Sequence, residues 1–205
     1  VLALALLLEQ ATAGWSPGAS DNGTGVGVAL ELVRALDAAA PRHIDVEVVL
    51  SGAGDGEGIG LRRYLRAHRA ELPPANTAVL GIAASGGGRP CWWRRQGSLT
   101  APRSALRLRQ LADQVAQAET DLNATEHSDR GTTPVLPALG AHIPALSIGG
   151  VDDHGLAPHS HQRDDSDELI DPQALDLVVA FGLALVDAMD ADLAQRRSSS
   201  AATPA

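Results

Sequence analysis

Aromatic residues and clustered positive charge are both scarce in this sequence of 205 residues. Aromatic side chains make up 2% of the chain, so a core must be built mainly from Ala, Val and Leu. Stacking on bases or sugar rings is therefore not expected as the main mode of binding. The net charge of −9 argues in addition against nonspecific binding of nucleic acid, which requires clusters of Lys and Arg.

Cysteine is almost absent, because the chain has a single one, Cys91. One cysteine excludes an internal disulfide and a cysteine-based zinc knuckle. Its surroundings, "GGGRPCWWRRQG", are typical of a loop that leads into a strand. We interpret Cys91 as a packed core residue rather than a nucleophile.

A long apolar run is also missing. The N-terminal run in "VLALALLLEQATAG" ends at Leu8, far short of the ~20 residues that span a bilayer. Two interpretations remain open. The run resembles the hydrophobic part of a signal peptide, with "ATA" as a cleavage site, and it fits a buried β-strand equally well. Membrane contact is not indicated.

The sequence contains alternating strand and helix patterns. Strands are predicted over residues 1–8, 44–50, 76–84 and 143–150, and helices over residues 24–40, 61–72, 104–118 and from Asp171 and Pro172 onward. This alternation predicts an α/β fold with a mostly parallel sheet and helices on both faces. We assign residues 1–192 to one domain and residues 193–205 to a disordered tail.

Polar loops follow three of the predicted strands. They contain Asp21, Asp55 and the histidines His154, His159 and His161. Because ligands of such sheets bind beyond the carboxyl ends of the strands, these side chains should meet at one edge. The glycine-rich turn "GAGDGEGIG" has the carboxylates of Asp55 and Glu57, which disfavour a pyrophosphate ligand.

Several segments resemble the zinc-dependent aminopeptidases of metallopeptidase family 28. "PGASDNGTGVGVALELVRAL" is similar to that family's "PGAxDNxSG" motif, and "PHSHQRDDSDELIDPQAL" is similar to its "yHtpxDtxdkidpxxl" motif. Between them, "VEVVLSGAGDGEGIGLRRYL", "TAVLGIAASGGG" and "EHSDRGTTPVLPALGAHIPALSIGG" resemble further family blocks in the same order. The resemblance implies a three-layer α/β/α sandwich of the zinc-exopeptidase type.

The resemblance also implies which metal ligands remain. Asp21 matches the carboxylate that bridges two zinc ions, and His161 matches the C-terminal histidine ligand, followed by the acidic Asp164 and Asp165. The family's adjacent Glu pair, a general base and a ligand, corresponds to Gly54 and Asp55.

The other ligand positions are apolar or altered. The family's second Asp ligand corresponds to Ala83, and its early histidine falls among residues 6–9, "LLLE". Ser128 and Asp129 match a motif near the substrate pocket, although a turn explains them equally well. A two-metal centre is therefore not expected.

Two functional hypotheses follow. The first is a divergent aminopeptidase-like domain with weak or no catalysis, which acts as a binding or structural module for a peptide or protein. The alternative is an active single-zinc metallohydrolase, or a glutaminyl-cyclase-like enzyme acting on peptide N-termini, with Asp21, Asp55 and His161 as ligands. Glu57 is then the remaining candidate for the general base. The resemblance favours an extracytoplasmic location.

Each ligand candidate also has a simpler explanation. Asp21 suits the N-terminal end of the following helix. Asp55 lies between glycines, as turn residues do. His161 fits a solvated loop histidine.

Overall fold

A mixed four-stranded sheet forms the centre of the computed structural model, which describes residues 2–12, 14–54, 58–97 and 102–201. Its strands are β1 (Val79–Ile82), β2 (Arg89–Arg95), β3 (Thr125–Ser128) and β4 (Ala145–Val151). In the order β1-β4-β2-β3, the outer pairs are parallel and the central β2–β4 pair is antiparallel. The predicted α/β fold with a mostly parallel sheet is confirmed.

Helices α2 to α6 flank this sheet on both sides, whereas α1 is exposed. The helices are α1 (Leu2–Thr12), α2 (Gly25–Ala38), α3 (Ile59–Ala67), α4 (Leu106–Ala118), α5 (Leu136–Gly140) and α6 (Pro172–Ala201). An irregular turn (Ala19–Thr24), non-helical at Asp21 and Asn22, precedes α2, and short 3₁₀ turns cover Thr120–Leu122 and Asp167–Leu169. The helices predicted over residues 24–40, 61–72 and 104–118 correspond to α2, α3 and α4.

The alternation of side chains along β4 separates two cores. Leu146 and Ile148 pack with α2, α4 and α6 on one face of the sheet. Ala145 belongs to a second cluster with α3 and α5. Because neighbouring strand residues point to opposite faces, the sheet lies between two helical layers, as the sandwich prediction requires.

Two of the five aromatic residues, Trp92 and Phe181, lie in the first of these cores. Trp92 stacks on Phe181 of α6, with ring centroids 5.8 Å apart. Cys91 of β2 is fully buried, which confirms its interpretation as a core residue.

The prediction of a buried strand over residues 1–8 is wrong for this structure, which has the exposed helix α1 there. Leu2, Leu4 and Leu6 are 75%, 62% and 56% exposed. A helix satisfies its own backbone hydrogen bonds, whereas a strand needs a neighbour to do so. Among the described helices, none is both long enough and apolar enough to cross a membrane.

The strand predicted over residues 44–50 is also wrong, because this segment has no regular secondary structure and lies outside the sheet. It is tied instead to α6, where the Asp190 carboxylate accepts bonds from the backbone N–H groups of His43 and Ile44 at 2.6 and 3.1 Å. Strands β2 and β3 lie where no complete strand was predicted.

Helix α6 begins as predicted. The Asp171 carboxylate accepts a hydrogen bond from the backbone N–H of Gln173 at 2.9 Å, and Pro172 takes the first helical position. Helix α6 extends through residues 193–201. The prediction of a disordered tail over these residues is therefore wrong for this structure. An ion pair between Arg196 and Asp192 at 2.9 Å lies along this helical extension.

Candidate functional site

Asp21 lies in the irregular turn that leads into α2, with non-helical backbone angles of φ −120° and ψ 92°. The turn begins after Gly18, whose φ of 70° lies in the left-handed region. The Thr24 hydroxyl donates to the Ser20 carbonyl at 2.6 Å and accepts from the backbone N–H of Ser85 at 2.9 Å. These bonds fix the turn against the segment that follows β1.

Asp165 holds the same turn from the other side. Its carboxylate accepts hydrogen bonds from the backbone N–H groups of Ser20 at 2.6 Å and Asp21 at 3.0 Å. The side chain is 1% exposed, so it is shielded from solvent. Both oxygens of Asp165 are thereby committed to the backbone of the turn.

The loop after β4 reaches the turn through a second bond. The Ser20 hydroxyl donates to the Pro158 carbonyl at 2.8 Å. His159 and His161 take φ values of 61° and 60°, in the left-handed region. The loop therefore bends sharply next to the turn and brings His161 toward Asp21.

Asp21 and His161 meet, as the sequence predicted for loops at one sheet edge. The Asp21 Oδ2 atom lies 3.1 Å from His161 Nε2 and accepts a hydrogen bond from the Ser160 hydroxyl at 2.7 Å. The Asp21 side chain is 24% exposed and the His161 side chain is 74% exposed. The pair is therefore open to solvent and to a ligand.

Asp55 and Glu57 lie outside the described residues, so their roles remain predictions. Their flanking glycines are described: the backbone N–H of Gly58 donates to the Gly54 carbonyl at 2.8 Å.

At the remaining family positions, the apolar side chains of residues 6–8 and of Ala83 cannot bind zinc. Residues 6–9 lie in α1, where Leu6 and Glu9 line a cavity of about 500 Å³ shared with His161 and Arg163. Ala83 follows β1 and packs against the apolar cluster formed by Cys91, Trp93 and Val151.

The described residues do not by themselves fit a zinc ion. They bring one carboxylate and one imidazole together, and no group of three or more His, Cys, Asp or Glu side chains occurs among them. Zinc sites in proteins use at least three protein ligands. Asp165 is 1% exposed and binds the backbone of the turn through both oxygens, so its contacts are with the turn rather than with this pair.

His127 at the end of β3 is a feature that the sequence analysis missed. Its ring stands edge-on to Trp93 at 5.6 Å, and its Nε2 atom is buried without a hydrogen-bond partner in the described part of the chain. Burial lowers the pKa of His127, and the nearby Asp129 opposes that effect only in part. Burial therefore favours the neutral imidazole over the protonated form.

Asp129 itself takes a turn role. Its carboxylate accepts a hydrogen bond from the backbone N–H of the next residue, Arg130, at 2.5 Å. This is the simpler of the two explanations for the Ser128–Asp129 pair.

Comparison with known families gives one match. Residues 10–186 match the model of peptidase family M28. A comparison with curated protein sequences gives no match.

Solved structures give matches at low sequence identity. LapA aminopeptidase from Legionella pneumophila aligns with a TM-score of 0.66 at 14% identity, over 87% of this chain and 49% of LapA. BSAP, a zinc aminopeptidase from Bacillus subtilis, aligns with a TM-score of 0.68 at 20% identity, over 83% of this chain and 42% of BSAP. A glutaminyl cyclase from an Acidobacteriales bacterium aligns with a TM-score of 0.61 at 18% identity, over 87% of this chain and 63% of the cyclase. The chain thus spans about half the length of the aminopeptidases that it resembles in fold.

Proposed function

Since the chain belongs to peptidase family M28, we propose that it is an aminopeptidase-like domain that binds peptide or protein ligands and hydrolyses them weakly or not at all. The observation that carries the proposal is the set of metal-binding side chains around Asp21. Asp21 and His161 contribute one carboxylate and one imidazole, and no group of three or more His, Cys, Asp or Glu side chains occurs among the described residues. A zinc site needs at least three protein ligands.

The loss of the neighbouring groups supports the same proposal. Hydrolysis by a metal-bound water needs a general base within hydrogen-bond reach of that water. The position that the family resemblance assigns to the base is Gly54, which has no side chain. At the second metal position, Ala83 packs among apolar groups.

The residues that remain suit ligand binding. Asp21 presents a partly exposed carboxylate beside the exposed imidazole of His161. A carboxylate at the end of a rigid turn accepts charge-assisted hydrogen bonds from an ammonium group. A peptide N-terminus carries such a group, so it is the ligand that we assign to the site.

Zinc titration of the purified protein tests the proposal. Wild type, Asp21→Ala and a histidine control, His154→Ala, are incubated with zinc, passed through a desalting column and analysed for bound metal. We expect less than one retained zinc per chain and no difference between the three proteins. One tightly retained zinc in wild type that is lost in Asp21→Ala and kept in His154→Ala would overturn the proposal.

Retention of one zinc that depends on Asp21 would favour the single-zinc alternative, an active metallohydrolase or glutaminyl-cyclase-like enzyme. The observation that favours it is the 3.1 Å approach of Asp21 and His161, two of its three proposed ligands. The third, Asp55, must then also be required for zinc retention. Asp55→Ala is the variant that tests this, with Asp45→Ala as an acidic control.

A further inference from the structure

A cavity of about 500 Å³ opens beside His161 of the candidate site. Helix α1 contributes Leu6 and Glu9 to its lining, and the loop after β4 contributes His161 and Arg163. The volume lies within the range of about 300–1,000 Å³ that is typical of small-molecule sites in proteins. Because His161 also contacts Asp21 at 3.1 Å, the cavity adjoins the candidate site.

Glu9 and Arg163 place two opposite charges on the lining of this cavity. Both residues are exposed. Neither forms an ion pair with the other, or with any other residue in the part of the chain that the structure describes. By contrast, Arg196 is paired with Asp192 at 2.9 Å. The guanidinium of Arg163 is therefore available to an acceptor group of a ligand.

A carboxylate is the ligand group that suits Arg163. The planar fork of N–H donors in a guanidinium matches the two oxygens of a carboxylate. A phosphate group fits the same fork but carries about two negative charges. The carboxylates of Glu9 on the same cavity and of Asp21 in the adjoining site disfavour that additional charge, so the singly charged carboxylate is preferred.

The positions of the charged groups indicate a short ligand. In the function proposed above, Asp21 accepts hydrogen bonds from an ammonium group. Arg163 lies two positions after His161, which contacts Asp21. Two or three residues of an extended peptide span about 7–10 Å, so a ligand of this length has an ammonium group at one end and a carboxylate near the other charged residue.

We propose that the candidate site and this cavity together bind a free dipeptide or tripeptide, with its N-terminal ammonium on Asp21 and its C-terminal carboxylate on Arg163. This inference rests on the proposed function, because it uses the same contact with Asp21. Leu6 is 56% exposed and offers apolar surface to a side chain of the peptide. Glu9 repels an acidic side chain, so the preferred ligand has neutral side chains and two free termini.

Three small peptides separate the two contacts. Leucyl-glycine has both terminal charges, leucyl-glycine amide lacks the carboxylate, and N-acetyl-leucyl-glycine lacks the ammonium group. Isothermal titration calorimetry with the full chain gives the Kd of each. We expect the amide and the acetylated peptide each to bind about three- to fivefold more weakly than leucyl-glycine, which is the effect of losing one solvent-exposed ion pair.

Variants of two arginines assign the carboxylate contact to one residue. Arg163→Gln should bind leucyl-glycine and its amide with equal affinity, because the partner of the carboxylate is gone. Arg69→Gln is the matched control, since Arg69 is an exposed arginine that does not line the cavity. This control should keep the wild-type preference for the free carboxylate.

The inference and the proposed function fail in different ways. Equal affinity of wild type for leucyl-glycine and its amide would overturn the role of Arg163, as would an unchanged preference in Arg163→Gln. Equal affinity for leucyl-glycine and the acetylated peptide would overturn the proposed contact of the ammonium group with Asp21. If none of the three peptides bound at millimolar concentration, both would be overturned.

Discussion

The Asp165 carboxylate lies 3.0 Å from the backbone nitrogen of Asp21, although the two residues are 144 positions apart. This bond joins the loop after β4 to the turn before α2. The direction of the Asp21 side chain therefore depends on a buried acidic residue from the far end of the chain. The candidate site is assembled by this contact rather than by either loop alone.

Replacement of Asp165 by alanine should destabilise the fold. It removes a buried acceptor and leaves two backbone N–H groups without partners, which costs about 1–3 kcal/mol in the free energy of unfolding. Urea unfolding of Asp165→Ala measures this loss. The neighbouring Asp164 is exposed, so Asp164→Ala should stay within about 0.5 kcal/mol of wild type. Equal losses in both variants would contradict the role given to Asp165.

Two glycine substitutions should have opposite effects. Gly88 has a φ of 77°, and a Cβ atom there would collide with the Val151 carbonyl group. Gly88→Ala should therefore lower the free energy of unfolding by about 1–3 kcal/mol. Gly27 in α2 has open space around it, so Gly27→Ala should raise that free energy by about 0.5–1 kcal/mol. Denaturant unfolding of both variants tests the prediction, and a loss of stability in Gly27→Ala would contradict it.

His127 should make the folded protein less stable in mild acid. Burial lowers its pKa in the folded state below the ordinary value of 6.5. Below pH 6.5 the unfolded chain then binds a proton that the folded chain does not, so stability falls as pH decreases from 7 toward 5. Unfolding curves at several pH values should show a smaller decrease for His127→Gln than for wild type. The control variant His142→Gln changes an exposed histidine, and its stability should fall with decreasing pH as steeply as that of wild type. The prediction would be contradicted if the free energy of unfolding fell equally with pH in all three proteins.

The thiol of Cys91 should be unreactive in the folded protein. Burial raises its pKa, and the opposing charge of Arg89 does not offset this. Because the thiolate is the reactive form, Ellman's reagent at pH 8 should label the native chain slowly and the chain in guanidinium chloride at once. Rapid labelling of the native protein would show that β2 is open to solvent.

The parts of the fold that could be predicted from sequence are those with a local signal. The apolar period of α2 and α4 and the Asp171–Pro172 start of α6 are such signals. Residues 44–50 and the leucines of residues 2–8 also have strand patterns, but a pattern cannot supply the neighbouring strand that their backbone needs. Only the start of strand β2 was predicted, because its Arg-rich end and the preceding glycines obscure its apolar residues.

Part of the candidate site could also be predicted from the sequence. Asp21 and His161 were expected at one sheet edge from strand order and from the family resemblance, and they meet at 3.1 Å. The roles of Ser160 and Asp165 were not predicted, because they depend on the path of a loop with left-handed residues at His159 and His161. The acidic residues after His161 were the only signal of Asp165 in the sequence.

The central claim is that the domain retains the peptidase fold with little or no hydrolysis, and turnover of leucine p-nitroanilide tests it most directly. Wild type and Asp21→Asn are assayed with and without added zinc, after both are shown to be folded. The account predicts the same background rate in all four samples. A zinc-dependent wild-type rate at least tenfold above that of Asp21→Asn would contradict it.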